Sequence, residues 1–232
     1  MRKTGDAAFI SDVHSNLEAL RAVLSDFGEG PVYCLGDVVG YGASPNEVID
    51  LLRERGAVCI LGNHDYAALT GDVSSFNAMA AMAIIWTSRQ LTDESRTFLA
   101  AMPRERTEEI SGKSIYMTHG SPDDNLWEYV YRGTHDDLFG FYLTRLSVDA
   151  IALGHTHVPF VWSGREGVVF NPGSVGQPRT GDRRSSYAVL GVESGTLSVE
   201  NRSIEYDVES SAKKIVDAGL PEALATRLFS GE

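Results

Sequence analysis

The sequence predicts an α/β fold in which two β-sheets form one domain spanning residues 1–232. Strand-like and helix-like segments alternate over the first 65 residues, and strand-like segments resume after a helical middle part. The composition, with 43% hydrophobic and 22% charged residues, is that of a globular protein. Because no internal repeat, low-complexity tract or linker divides the chain, one domain is favoured over two.

The N-terminal part predicts a largely parallel sheet. Short apolar runs predict its strands at 7–10, 31–35 and 57–61. The first helix begins at Ser15, which forms a capping box with Glu18, and the second begins at Ser44, with Pro45 at its first helical position. The resulting order β-α-β-α-β requires crossover connections, which place parallel strands side by side.

The remaining elements predict a helical insert, a second sheet and a helical C-terminus. The insert covers about 66–102, and two C-terminal helices cover about 208–230. Between them, β-branched or alternating segments bounded by glycine predict strands at 114–118, 150–153, 158–162, 168–170, 187–192 and 197–206. We expect these later strands to complete a second sheet packed on the first.

Charge and cysteine content exclude several classes of protein. The 32 acidic and 20 basic residues give a net charge of −12, which repels nucleic-acid backbones and anionic lipids, so neither a long nucleic acid nor a membrane is expected as a partner. Residues 1–10 contain no apolar stretch of signal-peptide length, which predicts a cytoplasmic protein. Cys34 and Cys59 lie in strand-like runs and are predicted to be buried thiols.

Five of the six histidines occur in short phrases that directly follow predicted strands. The phrases are Asp12-Val13-His14, Gly36-Asp37, Gly62-Asn63-His64, His119-Gly120 and Gly154-His155-Thr156-His157. The carboxyl ends of strands are where open α/β sheets bind ligands. The donors are imidazole, carboxylate and amide groups without thiolate, which suits manganese, iron, nickel or zinc. Seven donors exceed the needs of one ion, so two ions are predicted.

The ordered motifs DxH, GD, GNH, HG and GHxH resemble those of the calcineurin-like metallophosphoesterase superfamily. The phrases GDVVGYG, FNAMAAMAIIW, HGSPDDNLWEY, NPGSVGQPR and YDVESSAKKIVDAGLP are similar to a branch of small, single-domain, prokaryotic-type enzymes, so the resemblance covers nearly the whole chain. It implies a four-layer α-β-β-α sandwich of two mixed sheets flanked by helices.

The resemblance also implies a dinuclear metal centre with manganese as first choice and iron, nickel, cobalt or zinc as alternatives. The implied ligands are Asp12, His14 and His157 for one ion, Asn63, His119 and His155 for the other, and Asp37 for both. A hydroxide bridging the ions would attack phosphorus in line. His64 would protonate the leaving oxygen or stabilise the transition-state charge, and Asp65 would orient His64.

Differences from the motifs of two other branches of the superfamily narrow the range of expected substrates. Serine/threonine protein phosphatases carry GDxVDRG, whereas this chain has Gly40 and Tyr41 in place of the Asp and Arg, which disfavours phosphoproteins. Purple acid phosphatases have a tyrosine ligand at the position of Gly40, so a tyrosinate-bound ferric site is not expected. Tyr41 is interpreted as a wall of the substrate pocket.

Arg179, Arg183 and Arg184 form the densest basic cluster in this acidic chain. Two interpretations stay open. The three side chains are solvated on a loop, or they hold a second phosphate of a diester or polyphosphate, with Arg179 and Arg183 as the candidate substrate contacts.

The predicted activity is hydrolysis of small phosphodiesters or nucleotide polyphosphates, such as dinucleoside polyphosphates. The enzymatic alternatives are a phosphomonoesterase, a phosphoprotein phosphatase and a nuclease. The alternative from another class is a metal-binding scaffold without catalysis. The expected partner is a small phosphorylated substrate, and a homo-oligomer is compatible with the sequence.

Overall fold

The computed structural model of the chain describes residues 6–232. Residues 1–5, on which the expectation of no signal peptide partly depends, lie outside the described residues. The strands are β1 (Ala7–Ile10), β2 (Val32–Cys34), β3 (Val58–Cys59), β4 (Glu105–Ile110), β5 (Lys113–Thr118), β6 (Ala150–Ala152), β7 (Phe160–Ser163), β8 (Val168–Asn171), β9 (Ser185–Glu193) and β10 (Thr196–Ile204). The helices are α1 (Leu17–Phe27), α2 (Pro45–Glu54), α3 (Asn63–Thr70), α4 (Ala78–Gln90), α5 (Asp93–Ala101), α6 (Asp136–Leu146), α7 (Val208–Asp217) and α8 (Glu222–Ser230).

Both sheets are mixed, as predicted. The first has the order β10-β9-β1-β2-β3, in which β1, β2 and β3 are parallel because α1 and α2 cross over between them. β9 pairs antiparallel with both β1 and β10. The expectation that the strands at 187–192 and 197–206 complete the second sheet is therefore wrong, because pairing between distant strands leaves no local pattern in the sequence. The second has the order β4-β5-β6-β8-β7, with β5, β6 and β8 parallel and the edge strands β4 and β7 antiparallel to their neighbours.

The sheets pack face to face between layers of helices. Between the sheets, the ring of Phe9 on β1 meets that of Phe170 on β8 edge to face, with the ring centroids 5.1 Å apart. On the outer faces, α1 and α2 bury Leu20 and Ile49 in the core beside the first sheet, and α6 buries Phe139 beside the second. The layers are therefore α-β-β-α, which confirms the predicted fold class.

The C-terminal helices pack on the helical insert near the loop after β2. Ala83 of α4, Ile215 of α7 and Leu224 of α8 belong to one buried cluster. Tyr41, from the loop after β2, belongs to the same cluster. This contact brings the end of the chain next to the loops that carry the predicted ligands.

Several elements differ from the sequence-based expectations. α3 begins at Asn63, inside a phrase expected to be a loop and ahead of the predicted start of the helical insert at about 66. The patterns do not predict β4 and α6, whose many charged or aromatic residues obscure the periodicity. The first helix is capped by Asn16, whose side chain accepts from the main-chain N–H of Ala19 at 3.1 Å, and not by Ser15. Cys34 and Cys59 are buried free thiols, as predicted.

None of the helices within residues 6–232 combines the length and apolar character needed to cross a bilayer.

Candidate metal centre

All of the histidine- and aspartate-bearing phrases lie just beyond the carboxyl ends of strands. Three follow β1, β2 and β3 of the first sheet, and two follow β5 and β6 of the second. The folded chain brings the predicted ligands together from both sheets; they are Asp12, His14, Asp37, Asn63, His119, His155 and His157.

The predicted ligands form two clusters that meet at one carboxylate. The first contains Asp12, His14 and His157, whose ligand atoms all lie within 4.8 Å of one another. The second contains Asp37, His119 and His155 within the same distance. Oδ2 of Asp37 lies 3.7 Å from Nε2 of His14 and 3.3 Å from Nε2 of His119, so this one carboxylate faces both clusters.

Asn63 belongs to the second cluster, because its Oδ1 lies 3.1 Å from Nε2 of His119. Gly62, just before it, is required by close approach of the chain. A Cβ at this position would lie 2.1 Å from Oδ1 of Asp37. The glycine therefore allows the loop after β3 to pass directly over the shared carboxylate.

Main-chain carbonyls orient all four clustered histidines. The hydrogen bonds join Nδ1 of His14 to Val39 at 3.2 Å, Nδ1 of His119 to Leu35 at 2.8 Å, Nε2 of His155 to Trp127 at 3.3 Å and Nδ1 of His157 to Gln177 at 2.5 Å. A carbonyl only accepts, so the nitrogen that faces it carries the hydrogen. In a neutral imidazole the other nitrogen then offers a lone pair, which is the arrangement of a metal-ligating histidine.

The two carboxylates are anchored in the same way. Oδ2 of Asp12 accepts from the main-chain N–H of His155 at 3.2 Å, and Oδ1 of Asp37 accepts from that of His64 at 2.8 Å. Oδ1 of Asp12 is buried, accepts no hydrogen bond from any described residue, and lies 3.1 Å from Nε2 of His157. Because that nitrogen offers a lone pair, two acceptors face each other. A cation satisfies both, so these residues fit a metal ion.

The electrostatics of the clusters also favour positive charge. Burial by itself would lower the pKa of His119, but the adjacent Asp37 carboxylate raises it to about 9. Burial opposes ionisation of Asp12, but when the adjacent His157 is protonated its charge holds the pKa of this carboxyl well below its usual value. Two buried carboxylates that stay ionised create a strong attraction for cations.

An unusual backbone conformation orients the side chains of most predicted ligands. Five of the predicted ligands have φ in the left-handed region, with values of 53° for Asp12, 49° for His14, 52° for Asp37, 68° for His155 and 61° for His157. Each non-glycine residue in this region costs about 1–2 kcal/mol. Such strain concentrates at functional sites, where the surrounding structure over-determines the conformation.

His64 lies beside the clusters but is held differently. His64 is 4% exposed, and its ring contacts those of His14 and Tyr41. Its Nδ1 is buried and has no hydrogen-bond partner among the described residues. Burial lowers the pKa of His64 to about 4. One ring nitrogen also lies within 4.8 Å of the ligand atoms of His14 and Asp37, so distance alone is compatible with either a catalytic or a ligand role.

Asp65 joins two loops of the site. Its carboxylate accepts from the main-chain N–H of Gly62 and from that of Val39, both at 3.0 Å. Burial and the charge of Asp37 raise the pKa of Asp65 to about 7. These bonds fix the start of α3, which carries His64, to the loop that carries Asp37. The sequence predicted that Asp65 orients His64, and these bonds act through the main chain.

A cleft of about 400 Å³ opens beside the clusters. Tyr41 and Arg179 line it, and Nη2 of Arg179 donates to the Tyr41 hydroxyl at 3.4 Å. Arg183, the other candidate substrate contact, is absent from the described lining and lies 3.5 Å from Glu205 in an exposed ion pair. Arg184 pairs with Asp182 at 2.6 Å. The structure thus divides the basic cluster predicted from the sequence.

Seven of the residues that line the cleft lie outside the candidate set from the sequence, and four of these have aromatic or charged side chains: Phe76, Trp127, Tyr129 and Arg227. Arg227 lies on the amphipathic helix α8. Its place in the hydrophobic pattern of that helix is the same as that of any surface arginine. The three aromatic residues come from loops whose path the sequence does not define. The phrases FNAMAAMAIIW and HGSPDDNLWEY contain them and were the only available signal.

A family model, the calcineurin-like phosphoesterase superfamily domain, matches residues 6–195. The chain belongs to this superfamily. Members use divalent metal ions, and this phosphoesterase is accordingly a metal-dependent hydrolase with clustered residues that could bind metal. The resemblance recognised in the sequence motifs is confirmed.

Similar proteins match this phosphoesterase over nearly its full length. An uncharacterized protein of Methanocaldococcus jannaschii is 40% identical over 97% of both chains. The crystal structure of a metallophosphoesterase from Sphaerobacter thermophilus is 35% identical and covers 98% of this chain and 100% of that one, with a TM-score of 0.82. A hypothetical protein from Pyrococcus horikoshii shares the fold, with a TM-score of 0.87 and 21% identity over 98% of each chain.

Proposed function

We propose that this phosphoesterase hydrolyses small phosphodiesters or nucleotide polyphosphates at a dinuclear metal centre. The observation that carries the proposal is the pair of ligand clusters that share Asp37. Each cluster combines imidazole nitrogen with oxygen donors and contains no thiolate. This chemistry suits manganese first, with iron, nickel, cobalt or zinc as alternatives.

The residues divide into two ligand sets. One ion would be held by Asp12, His14 and His157, the other by Asn63, His119 and His155, and Asp37 would contact both. When bound, the ions would lower the pKa of a water molecule and offset negative charge on the phosphate. Two carboxylates balance only part of the charge of two divalent ions, so the site would attract an anion although the chain carries −12.

His64 supplies a hydrogen-bonding group beside the site of reaction. Its ring lies between Tyr41, at 4.6 Å between centroids, and Phe76, at 4.8 Å. His64 lines the cleft, but its Nδ1 is buried against Gly40, so Nε2 is the ring nitrogen that would reach a substrate oxygen. From this position His64 would protonate the leaving oxygen or stabilise negative charge on it.

A phosphomonoesterase is the second candidate. A terminal phosphate has three free oxygens and needs several positive donors, and the cleft offers two guanidinium groups, Arg179 and Arg227. The same groups would equally serve a second phosphate of a polyphosphate. Substrate comparison decides between these alternatives.

The test combines metal content with a substrate panel. The protein is reconstituted with Mn, Fe, Ni, Co or Mg, and bound metal is measured by elemental analysis. Activity is then assayed on bis-p-nitrophenyl phosphate, p-nitrophenyl phosphate and dinucleoside polyphosphates. We expect two ions per chain and faster cleavage of the diester and polyphosphates than of the monoester. One ion per chain would contradict the dinuclear centre, and a monoester preference would favour the second candidate.

A further inference from the structure

The cleft beside the clusters has two walls of different chemistry. We propose that these walls select a substrate with a second anionic group on one side of the reacting phosphate and a flat aromatic group on the other. The cationic wall consists of Arg179 and Arg227, and the aromatic wall of Phe76, Trp127 and Tyr129. Nucleoside di- and polyphosphates have this chemistry. The inference rests on the proposed function, because both walls are defined relative to the phosphate that the clusters would hold.

The cationic wall contains two arginines without acidic side-chain partners. Arg179 donates to Oε1 of Gln177 and to the Tyr41 hydroxyl, and Nε of Arg227 donates to the main-chain oxygen of Glu232. Neither forms an ion pair with an acidic side chain of residues 6–232, whereas eight other arginines do: Arg53, Arg106, Arg132, Arg145, Arg165, Arg183, Arg184 and Arg202. Because both line the cleft and neither is paired with an acidic side chain of residues 6–232, their guanidinium groups can bind an anion there.

The two arginines also lie close enough to repel each other. Burial and the charge of Arg179 lower the pKa of Arg227. The guanidinium carbon of Arg227 lies 5.8 Å from the ring centroid of Tyr41, the same residue whose hydroxyl accepts from Arg179. An anion between the two guanidinium groups would relieve this repulsion and accept hydrogen bonds from both.

The aromatic wall consists of three rings that line the same cleft. Tyr129 is 45% exposed although it lines the cleft, and its ring stacks on His155 with the centroids 3.9 Å apart. Trp127 and Phe76 pack edge to face at 5.4 Å. Exposed ring faces of this kind bind nucleobases by stacking, with little dependence on base identity.

The walls adjoin different clusters. The cationic wall reaches the first cluster through Tyr41, whose hydroxyl accepts from Arg179 and whose ring lies 4.7 Å from that of His14 between centroids. The aromatic wall contacts the second cluster through Tyr129 and through the Trp127 carbonyl, which accepts from His155. A phosphate held between the clusters would therefore have cations on one side and aromatic rings on the other.

The size of the cleft agrees with a single nucleotide unit. Its volume of about 400 Å³ is within the range of ordinary small-molecule sites. It is too small for a polymer to lie along it, and neither a simple alkyl diester nor inorganic phosphate would use both walls.

The test measures equilibrium binding rather than turnover. Calorimetry with the metal-loaded protein compares α,β-methylene-ADP, which carries a base and two phosphate groups, with methylenediphosphonate and inorganic phosphate. We expect Arg227→Ala to raise Kd for the ADP analogue by about ten- to hundredfold and to leave inorganic phosphate within about twofold. We expect Tyr129→Ala to raise Kd for the ADP analogue by about tenfold and to leave methylenediphosphonate unchanged.

Matched control variants test whether a loss of binding comes from misfolding or from a general change of charge. Arg165→Ala removes a 95% exposed arginine, and Phe141→Ala removes an exposed aromatic residue of α6 that is absent from the described cleft lining. Both should bind all three ligands normally, and Tyr129→Phe should restore binding of the analogue. Equal loss of all three ligands in Arg227→Ala, or no loss in either wall variant, would overturn the inference. Failure of the proposed function is distinguishable, because the metal-loaded protein would then hydrolyse no substrate of the panel, whatever these binding measurements show.

Discussion

Gly40 and His64 occupy mutually dependent positions, because a Cβ on Gly40 would lie 2.5 Å from Nδ1 of His64. Gly40 lies in the loop after β2, and His64 lies in the first turn of α3. Gly40 also has a φ of 101°, a conformation that favours glycine. At position 40, where the serine/threonine protein phosphatases carry Asp, this chain has a glycine that leaves space for the ring of His64.

Gly40→Ala should impair catalysis by displacing His64. We expect turnover to fall toward that of His64→Ala while bound metal stays near the wild-type amount. Gly71→Ala is the matched control, because Gly71 also has a left-handed φ, 77°, but has no neighbouring atom within 4 Å of its Cβ position. Both variants should lose stability from backbone strain, by about 1 kcal/mol or more. Equal loss of turnover in both would show that contact with His64 is not the cause.

His64→Ala should keep its metals and lose about 10²–10⁴ in turnover, the range for removal of a general acid. The loss should be smaller for p-nitrophenyl esters than for esters of poor leaving groups, because p-nitrophenolate needs little protonation. Steady-state kinetics over a leaving-group series and elemental analysis measure the two effects. An equal loss across the series would favour electrostatic stabilisation, and loss of a metal ion would make His64 a ligand, as its distance to His14 and Asp37 also permits.

The sequence predicts this fold and its clusters well for a definite reason. Strand ends in parallel sheets converge, so short phrases such as Gly62-Asn63-His64 predict a shared site without knowledge of loop paths. The periodicity of α1 and α2 and the apolar strand runs are likewise local signals. The α-β-β-α layers followed from the family resemblance. The sheet order was not predicted, since pairing between distant strands has no local signature.

Features that depend on contacts between distant parts of the chain could not be predicted from the sequence. The left-handed conformation of Asp12 or His157 depends on loops from both sheets, and β-branching or propensity does not encode it. Arg227 reaches the cleft only because α8 packs near Tyr41. Arg179 and Arg183 cannot be distinguished by the sequence pattern. In the structure, Arg179 lines the cleft and Arg183 pairs with Glu205.

Asp37→Ala should remove both metals and abolish activity. The reason is that Oδ2 of Asp37 faces His14 of one cluster and His119 of the other. Elemental analysis after gel filtration measures the loss. Asp72→Ala, which removes an exposed carboxylate of the loop after α3, is the control and should retain the wild-type metal content. Retention of one full equivalent of metal in Asp37→Ala would show that the two clusters bind independently.

Chelation should lower thermal stability, because a ligand that binds only the folded state stabilises it by RT ln(1 + [L]/Kd). A free metal concentration 100 times Kd contributes about 2.7 kcal/mol, or roughly 5–10 °C in Tm for a chain of this size. Calorimetric scans with a chelator and with added Mn measure the difference. Asp37→Ala should show little dependence of Tm on metal, and a metal-independent Tm in the wild type would contradict strong binding at these clusters.

Arg179→Ala should raise KM for a dinucleoside polyphosphate by about ten- to hundredfold with kcat nearly unchanged, because a contact to a remote phosphate acts mainly in binding. Bis-p-nitrophenyl phosphate has no second phosphate and should be affected little. Arg184→Ala, on the same loop but paired with Asp182, is the matched control and should leave both substrates unaffected.

The bond from Arg179 to the Tyr41 hydroxyl adds a test of positioning. Tyr41→Phe removes that acceptor and keeps the ring against His14, so it should raise KM for the polyphosphate by a smaller factor, about three- to tenfold. If Tyr41 acts through Arg179, the double variant should resemble Arg179→Ala alone, since the hydroxyl has nothing left to position. Additive effects in this cycle would mean that Tyr41 contacts substrate independently. A fall in kcat for both substrates would instead place Arg179 at the reacting phosphate, and its second-phosphate role would be wrong.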